Sequence, residues 1–204
     1  MTIINDGEEM SKLGQDNKFQ EIRVCLNGIY RSGKTTFVKR IISQSNFNNF
    51  KGLIIEYLTT IGASYDIVFV KHKSKVFKLE IWDISGQIRF FPLLEAFNKR
   101  ADFIIYFYDP FNKDSFEYIK KSYQKAKKIN LSCLCNGILI KSKCDLNETK
   151  DRNIMISDEE VLEFADENNL LFRNLSNLEK YGSGIEEIIE DVINANLYKN
   201  NKIK

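Results

Sequence analysis

Gly28-Ile29-Tyr30-Arg31-Ser32-Gly33-Lys34-Thr35 decides how this 204-residue chain is read. The spacing is G-x-x-x-x-G-K-[ST], a glycine-framed loop that opens onto a helix. With glycine near ~7% of residues, a chance match within about 200 positions is on the order of one in a hundred. The flanks meet the mechanical requirement. Glu21 to Leu26 before it is apolar and β-capable, and a helical pattern starts at Lys34. In that setting backbone N–H groups at the helix start can cradle phosphates. Lys34 can reach the terminal ones, and the Thr35 hydroxyl can bind Mg²⁺.

Outward from the loop, strand and helix patterns alternate. Tyr65 to Val70 and Val76 to Ile84 alternate in polarity, and Lys71-His72-Lys73-Ser74-Lys75 between them reads as a solvated hairpin turn. Phe103 to Tyr108 and Cys133 to Ile140 are short continuous apolar runs, the pattern of strands buried on both faces. Phe116, Ile119, Tyr123 and Ala126 fall on one helical stripe, and Ser157-Asp158-Glu159-Glu160 is a capping box. Ile185, Ile188, Ile189, Val192, Ile193 and Leu197 predict a final amphipathic helix. The order is β-α-β-β-α-β-α-β-α-β-α. Right-handed crossovers turn it into an α/β fold: a six-stranded, mostly parallel sheet flanked by about five helices. Residues 19–197 form one domain, 1–18 read as a flexible N-terminal segment, and 198–204 as a short basic tail.

Composition removes several classes of function. Thirty Lys+Arg against 28 Asp+Glu leave a net charge of +2, too little for a broad electrostatic grip on nucleic acid or an anionic membrane. Phe103 to Tyr108 is far shorter than the ~18–20 apolar residues of a membrane span, and the N-terminus lacks the pattern of a secretory signal. Cys25, Cys133, Cys135 and Cys144 have no paired metal-ligand spacing and read as small buried hydrophobes. His72, the only histidine, has no plausible nucleophile near it in sequence, which excludes Cys-His and Ser-His-Asp catalysis.

Two further motifs lie where parallel strands end, the rim at which such sheets bind ligands. Trp82-Asp83-Ile84-Ser85-Gly86-Gln87 follows the loop by about fifty residues. A carboxylate there can hold Mg²⁺ through water, and a following glycine can bring its N–H to a terminal phosphate. Lys143-Cys144-Asp145 leaves the strand after Ile140. An Asp at that rim accepts two hydrogen bonds from the N1 and N2 donors of guanine. Adenine lacks that donor pair and would leave a charged acceptor unpaired.

Taken together, these motifs resemble the Ras-like small GTPase superfamily of P-loop NTPases. Lys78-Leu79-Glu80-Ile81-Trp82-Asp83, Gly86-Gln87, Arg89-Phe90 and Tyr108-Asp109 are more particularly similar to its Rab branch. The likeness covers roughly Glu21 to Leu197. It implies a GTP-binding and GTP-hydrolysing switch in vesicle traffic, with Mg²⁺ as cofactor. It places Gly28, Tyr30, Arg31, Ser32, Gly33, Lys34, Thr35, Thr36, Thr60 and Gly86 around the phosphates, with Thr35, Thr60 and Asp83 as metal ligands. Gln87 positions the attacking water, with Lys34 and Thr60 in the catalytic set. Phe50, Ser142, Lys143, Asp145, Ser176, Asn177 and Leu178 surround the base. Tyr65, Trp82 and Phe97 match an aromatic triad that meets effectors; ordinary sheet packing is the alternative for them.

The departures from the family carry expectations of their own. Ser142 stands where Asn or Thr is usual, and Leu178 cannot reproduce the usual lysine. The segment Thr35 to Thr60 is longer than in a typical Rab, with Ser43 to Phe50 as the insertion. Tyr30 and Arg31 occupy positions where small residues are usual, which predicts slow intrinsic hydrolysis. A non-hydrolysing GTP-binding scaffold, or a Ras- or Rho-like signalling role, is the alternative reading. The last Cys is Cys144 and residue 2 is Thr, so neither prenylation nor N-myristoylation is expected. The expected molecule is a cytoplasmic monomer that meets effectors, exchange factors and activators, and that reaches an endomembrane only through a partner.

Overall fold

The computed structural model describes residues 2–4, 19–45, 61–129, 137–148, 156–176 and 184–202. Its strands are β1 (Thr2–Ile4), β2 (Phe19–Asn27), β3 (Ala63–His72), β4 (Lys75–Ile84), β5 (Phe103–Tyr108), β6 (Gly137–Lys141) and β7 (Leu171–Asn174). The α-helices are α1 (Lys34–Ser45), α2 (Phe91–Asn98), α3 (Lys113–Ile129), α4 (Asp158–Glu167) and α5 (Ile185–Lys202). The strands make one sheet in the order β1-β3-β4-β2-β5-β6-β7. β4, β2, β5, β6 and β7 run parallel, and β3 is antiparallel to β4. Strand order reverses between β2 and β5, so the loop leaving β2 lies at the crevice where open α/β sheets bind ligands.

Burial explains the central strand. All six residues of β5 are buried. Phe103, Ile105 and Phe107 join one core layer with Phe37 and Ile41 of α1 and Ile188 and Val192 of α5. Ile104, Tyr106 and Tyr108 join the other with Leu94 of α2, Phe116 and Ile119 of α3, and Val161 of α4. A strand covered on both faces needs apolar side chains at every position, each contributing about 1.5–3 kcal/mol when fully buried. The helical stripes expected from spacing face these layers: Phe116, Ile119, Tyr123 and Ala126 are buried, as are Ile185, Ile188, Ile189, Val192 and Ile193. Cys25 is buried and Cys144 half-buried; Cys133 and Cys135 lie outside the described residues.

Four features differ from the sequence reading. Thr2–Ile4, expected to be loose, pairs antiparallel with Phe69–Lys71 and adds a seventh strand at the sheet edge. Three β-prone residues carry no recognisable signal until their partner strand, some 65 residues on, is beside them. The hairpin turn is only Lys73-Ser74, because pairing persists to His72↔Lys75. His72, expected in a solvated turn, is buried, with its Nδ1 4.0 Å from Glu190 Oε1 of α5. The last helix continues to Lys202 and takes in most of the expected tail; neither Gly nor Pro interrupts it. Among the described residues no helix is long and apolar enough to cross a membrane.

The Ser157 half of the capping box forms as read, and the Glu160 carboxylate accepts from Lys120 at 3.1 Å. Ser157 has extended dihedrals, and its side chain accepts from the Glu160 N–H at 3.2 Å. Ser157→Ala should lower global stability by about 1 kcal/mol, measured as a lower urea midpoint at unchanged slope.

Candidate functional site

β2 ends on Asn27, and Gly28 to Gly33 carry the chain over the sheet rim into α1. The loop is held tightly from two sides. A Cβ on Gly28 would fall 2.5 Å from the Phe107 carbonyl oxygen and 2.6 Å from Ser32 Oγ. A Cβ on Gly86, just beyond β4, would fall 2.2 Å from the Ile29 carbonyl carbon and 2.3 Å from the Tyr30 nitrogen. Only glycine lets the exit of β4 lie directly on the backbone of the β2 loop. Arg31 takes a left-handed conformation at φ 64°, and Ser32 N–H returns to the Ile29 carbonyl at 3.2 Å.

Lys34, the first residue of α1, folds back into this loop. Its Nζ donates to Gly28 O at 2.7 Å and Ile29 O at 3.0 Å, and lies 3.5 Å from Ser32 Oγ. Burial pushes its pKa down to about 8, against the opposing pull of Asp83. Next to it, Thr35 Oγ1 donates to Asp83 Oδ2 at 2.5 Å. The helix start and the end of β4 therefore bring two hard oxygen donors to one point. Thr36 is half-buried on the same first turn. Gln87 is half-buried and caps the short 3₁₀ turn Ile88–Phe90; its N–H lies 3.5 Å from Ser85 Oγ. Tyr30 is 43% exposed, and the Arg31 guanidinium stands over its ring at 5.0 Å.

A second cluster sits at the ends of β5, β6 and β7. Asp145 Oδ1 accepts from Ser176 Oγ at 2.9 Å, so two segments far apart in sequence meet. Lys143, at φ 58°, places Nζ 2.5 Å from Asp109 Oδ2. Ser142 is fully buried and turned inward: its Oγ donates to Tyr108 O at 2.6 Å, and its N–H to the same oxygen at 3.0 Å. Its hydroxyl supports the turn from beneath, on the neighbouring strand. Thr60, Phe50, Asn177 and Leu178 lie outside the described residues, as does most of the insertion Ser43 to Phe50. Tyr65 and Trp82 are partners across β3 and β4, and the Trp82 and Phe97 rings are 4.8 Å apart. Tyr65 is exposed while Trp82 is buried in a core layer, so the triad is half surface and half packing.

Two polar residues here were given no role by the motif reading. Asp109 grips Lys143, and Asn27, fully buried at the root of the loop, donates from Nδ2 to Ser122 Oγ of α3 at 2.7 Å. The available signals were position alone: Asn27 immediately precedes Gly28 of the loop motif, and Asp109 immediately follows the apolar run of β5.

This strand, loop and helix, with a second strand's carboxylate on the helix start, is the architecture of a phosphate-loop domain. The Ras family profile matches residues 23–197, and the chain belongs to that family, with the fold of a small GTPase domain. It is 33% identical over 143 residues to Ras-related protein Rab-1 of Theileria parva, which covers 67% of this chain and 63% of that protein. Similarity to RABD2c of Arabidopsis thaliana is 33% over 165 residues, 81% of this chain and 75% of the relative. The GTP-binding protein YPT1 of Saccharomyces cerevisiae is 33% identical over 124 residues, 61% and 58% of the two chains. The matched stretch thus spans under two thirds of the Theileria and yeast proteins.

The lowered pKa of Lys34 has a consequence without added nucleotide or metal. Between about pH 8 and the ordinary lysine value of 10.5, the unfolded chain binds a proton that the folded chain does not. Stability should therefore gain from this group as pH rises through that window, and lose it as pH falls through about 8. Urea unfolding at several pH values should show this increment in the parent and not in Lys34→Met.

Proposed function

We propose that the chain is a GTP-binding, GTP-hydrolysing switch of the Rab type, acting in vesicle and membrane traffic. The meeting of Thr35, Asp83 and Gly86 on the phosphate loop carries this reading. The Thr35 hydroxyl and the Asp83 carboxylate, hydrogen-bonded to each other here, are the hard oxygen chemistry Mg²⁺ takes, directly or through water, alongside phosphate oxygens. Thr35 and Asp83 would hold it, with Thr60 as the third ligand of the GTP state; once bound it supplies positive charge beside the phosphates.

Lys34 exchanges its loop carbonyls for phosphate oxygens, and an anion there offsets the cost of its burial. The loop N–H groups from Tyr30 to Thr35 bind the phosphates along the start of α1. Gln87, beside Gly86, orients the water that attacks the terminal phosphorus. Asp145 accepts from guanine N1 and N2, with Lys143, Ser142 and Ser176 supporting it and Phe50, Asn177 and Leu178 completing the base site. Loss of the terminal phosphate releases the segments around Thr60 and Gly86 to Phe97, and this is the switch. Effectors and regulators, which Ras-family members engage generally, reach it through Tyr65, Trp82 and Phe97. Cytoplasmic residence, a monomeric state and recruitment to an endomembrane by a partner belong to the same reading.

Competition binding tests it. GTP and GDP should displace a fluorescent guanine nucleotide and ATP should not, and Asp145→Ala should abolish that preference without unfolding the chain. Equal competition by ATP in the parent would end the GTPase reading.

The stack of Arg31 on Tyr30 favours a slow switch, and in the extreme a scaffold that seldom turns over. By family likeness the Tyr30 position faces the terminal phosphate, where an activator's arginine enters; such an arginine is worth ~10³–10⁵ in rate. A ring at this mouth, already holding a guanidinium, obstructs that entry. Single-turnover hydrolysis should be slow in the parent, weakly stimulated by arginine-finger activators, and faster in Tyr30→Gly. No acceleration in Tyr30→Gly, with or without an activator, would remove Tyr30 from the mechanism.

A further inference from the structure

The base-side turn hangs from Lys141, the last residue of β6. Its side chain is only 4% exposed yet carries an ammonium, and Nζ donates to Asp158 Oδ1 at 2.6 Å. Asp158 is half exposed and opens α4, where a carboxylate is favoured by the helix N-terminus. The backbone of Lys141 is equally committed. Its carbonyl accepts the Leu175 N–H at 2.8 Å and the Cys144 thiol at 3.2 Å, and the Cys144 N–H donates to Leu175 O at 3.3 Å. One residue therefore ties the turn Ser142-Lys143-Cys144-Asp145 to the strand end that presents Ser176, and anchors both to α4.

We propose that Lys141, through its ion pair with Asp158, is a positioning residue that fixes Asp145 for base recognition. This rests on the reading of Asp145 as the guanine acceptor. The physical reason is the cost of an orphaned charge. Without Asp158, a buried ammonium must reach water. Its stem leaves the backbone immediately before the turn, so that movement displaces Asp145 and Ser176 from their 2.9 Å contact.

The test compares the affinities of GDP and inosine diphosphate, which lacks the 2-amino group, with thermal stability measured in parallel. The parent should prefer GDP. Asp158→Ala should reduce that preference by about tenfold, below the ~10²-fold that a misplacement of about 1 Å can cost. Lys141→Met/Asp158→Ala should recover part of it, because no charge is orphaned. In an Asp145→Ala background, Asp158→Ala should weaken GDP binding no further. A preference in Asp158→Ala within about twofold of the parent, whatever the stability, would overturn the positioning role. So would an equal loss of GDP affinity with and without Asp145. A parent that does not discriminate the two nucleotides would instead overturn the reading of Asp145, and the proposal with it.

Discussion

The ammonium of Lys34, buried beneath the backbone of its own loop, is the constraint around which the site is arranged. A charge removed from water must be surrounded by dipoles or paired. Here the carbonyls of Gly28 and Ile29 surround it and Asp83 lies close enough to favour its charged form. That requirement closes the loop into a ring, and the ring leaves no volume for side chains at Gly28 or Gly86. Four elements meet at one point: the end of β2, the start of α1, the end of β4 and, through the Phe107 carbonyl, β5.

The same geometry couples the loop to the segment that follows β4. Gly86 rests on the backbone of Ile29 and Tyr30, and Gln87 begins the 3₁₀ turn that runs directly into α2. A shift in the loop of one ångström cannot be absorbed by a rotamer, since the contact is backbone on backbone. The cluster at the ends of β5, β6 and β7 is built differently. There the contacts are side chain to side chain, Ser176 on Asp145 and Lys143 on Asp109, and they join segments that approach only because β5, β6 and β7 lie side by side. The loop side is fixed by backbone sterics, and the cluster at the ends of β5, β6 and β7 by hydrogen bonds.

Much of this was legible from local pattern. The apolar runs announced the buried strands, since a strand covered on both faces has no solvated face for unpaired polar residues. The capping box at Ser157 and the stripes of α3 and α5 needed only helical periodicity. The pairing of Thr2–Ile4 with β3 was not legible, because three residues hold too little information to specify a partner. Nor was the burial of His72, which follows from where α5 crosses the hairpin. Nor was the partner of Ser142 legible: its hydroxyl donates to the Tyr108 carbonyl on the neighbouring strand.

By itself, then, the sequence determined the order of elements from β2 onward, the helix faces they bury and the phosphate-loop motif, since these depend on spacing within ten or twenty residues. Tertiary structure alone decided which polar groups meet. It seated Thr35 on Asp83 across 48 positions and Ser176 on Asp145 across 31. It also assigned the buried ammonium of Lys141 to a carboxylate on another helix. The physical reason is that periodicity reports which face of an element is dry, and a hydrogen bond depends on where two elements come to lie. That position follows from packing both sides of the sheet at once, and no local stretch encodes it.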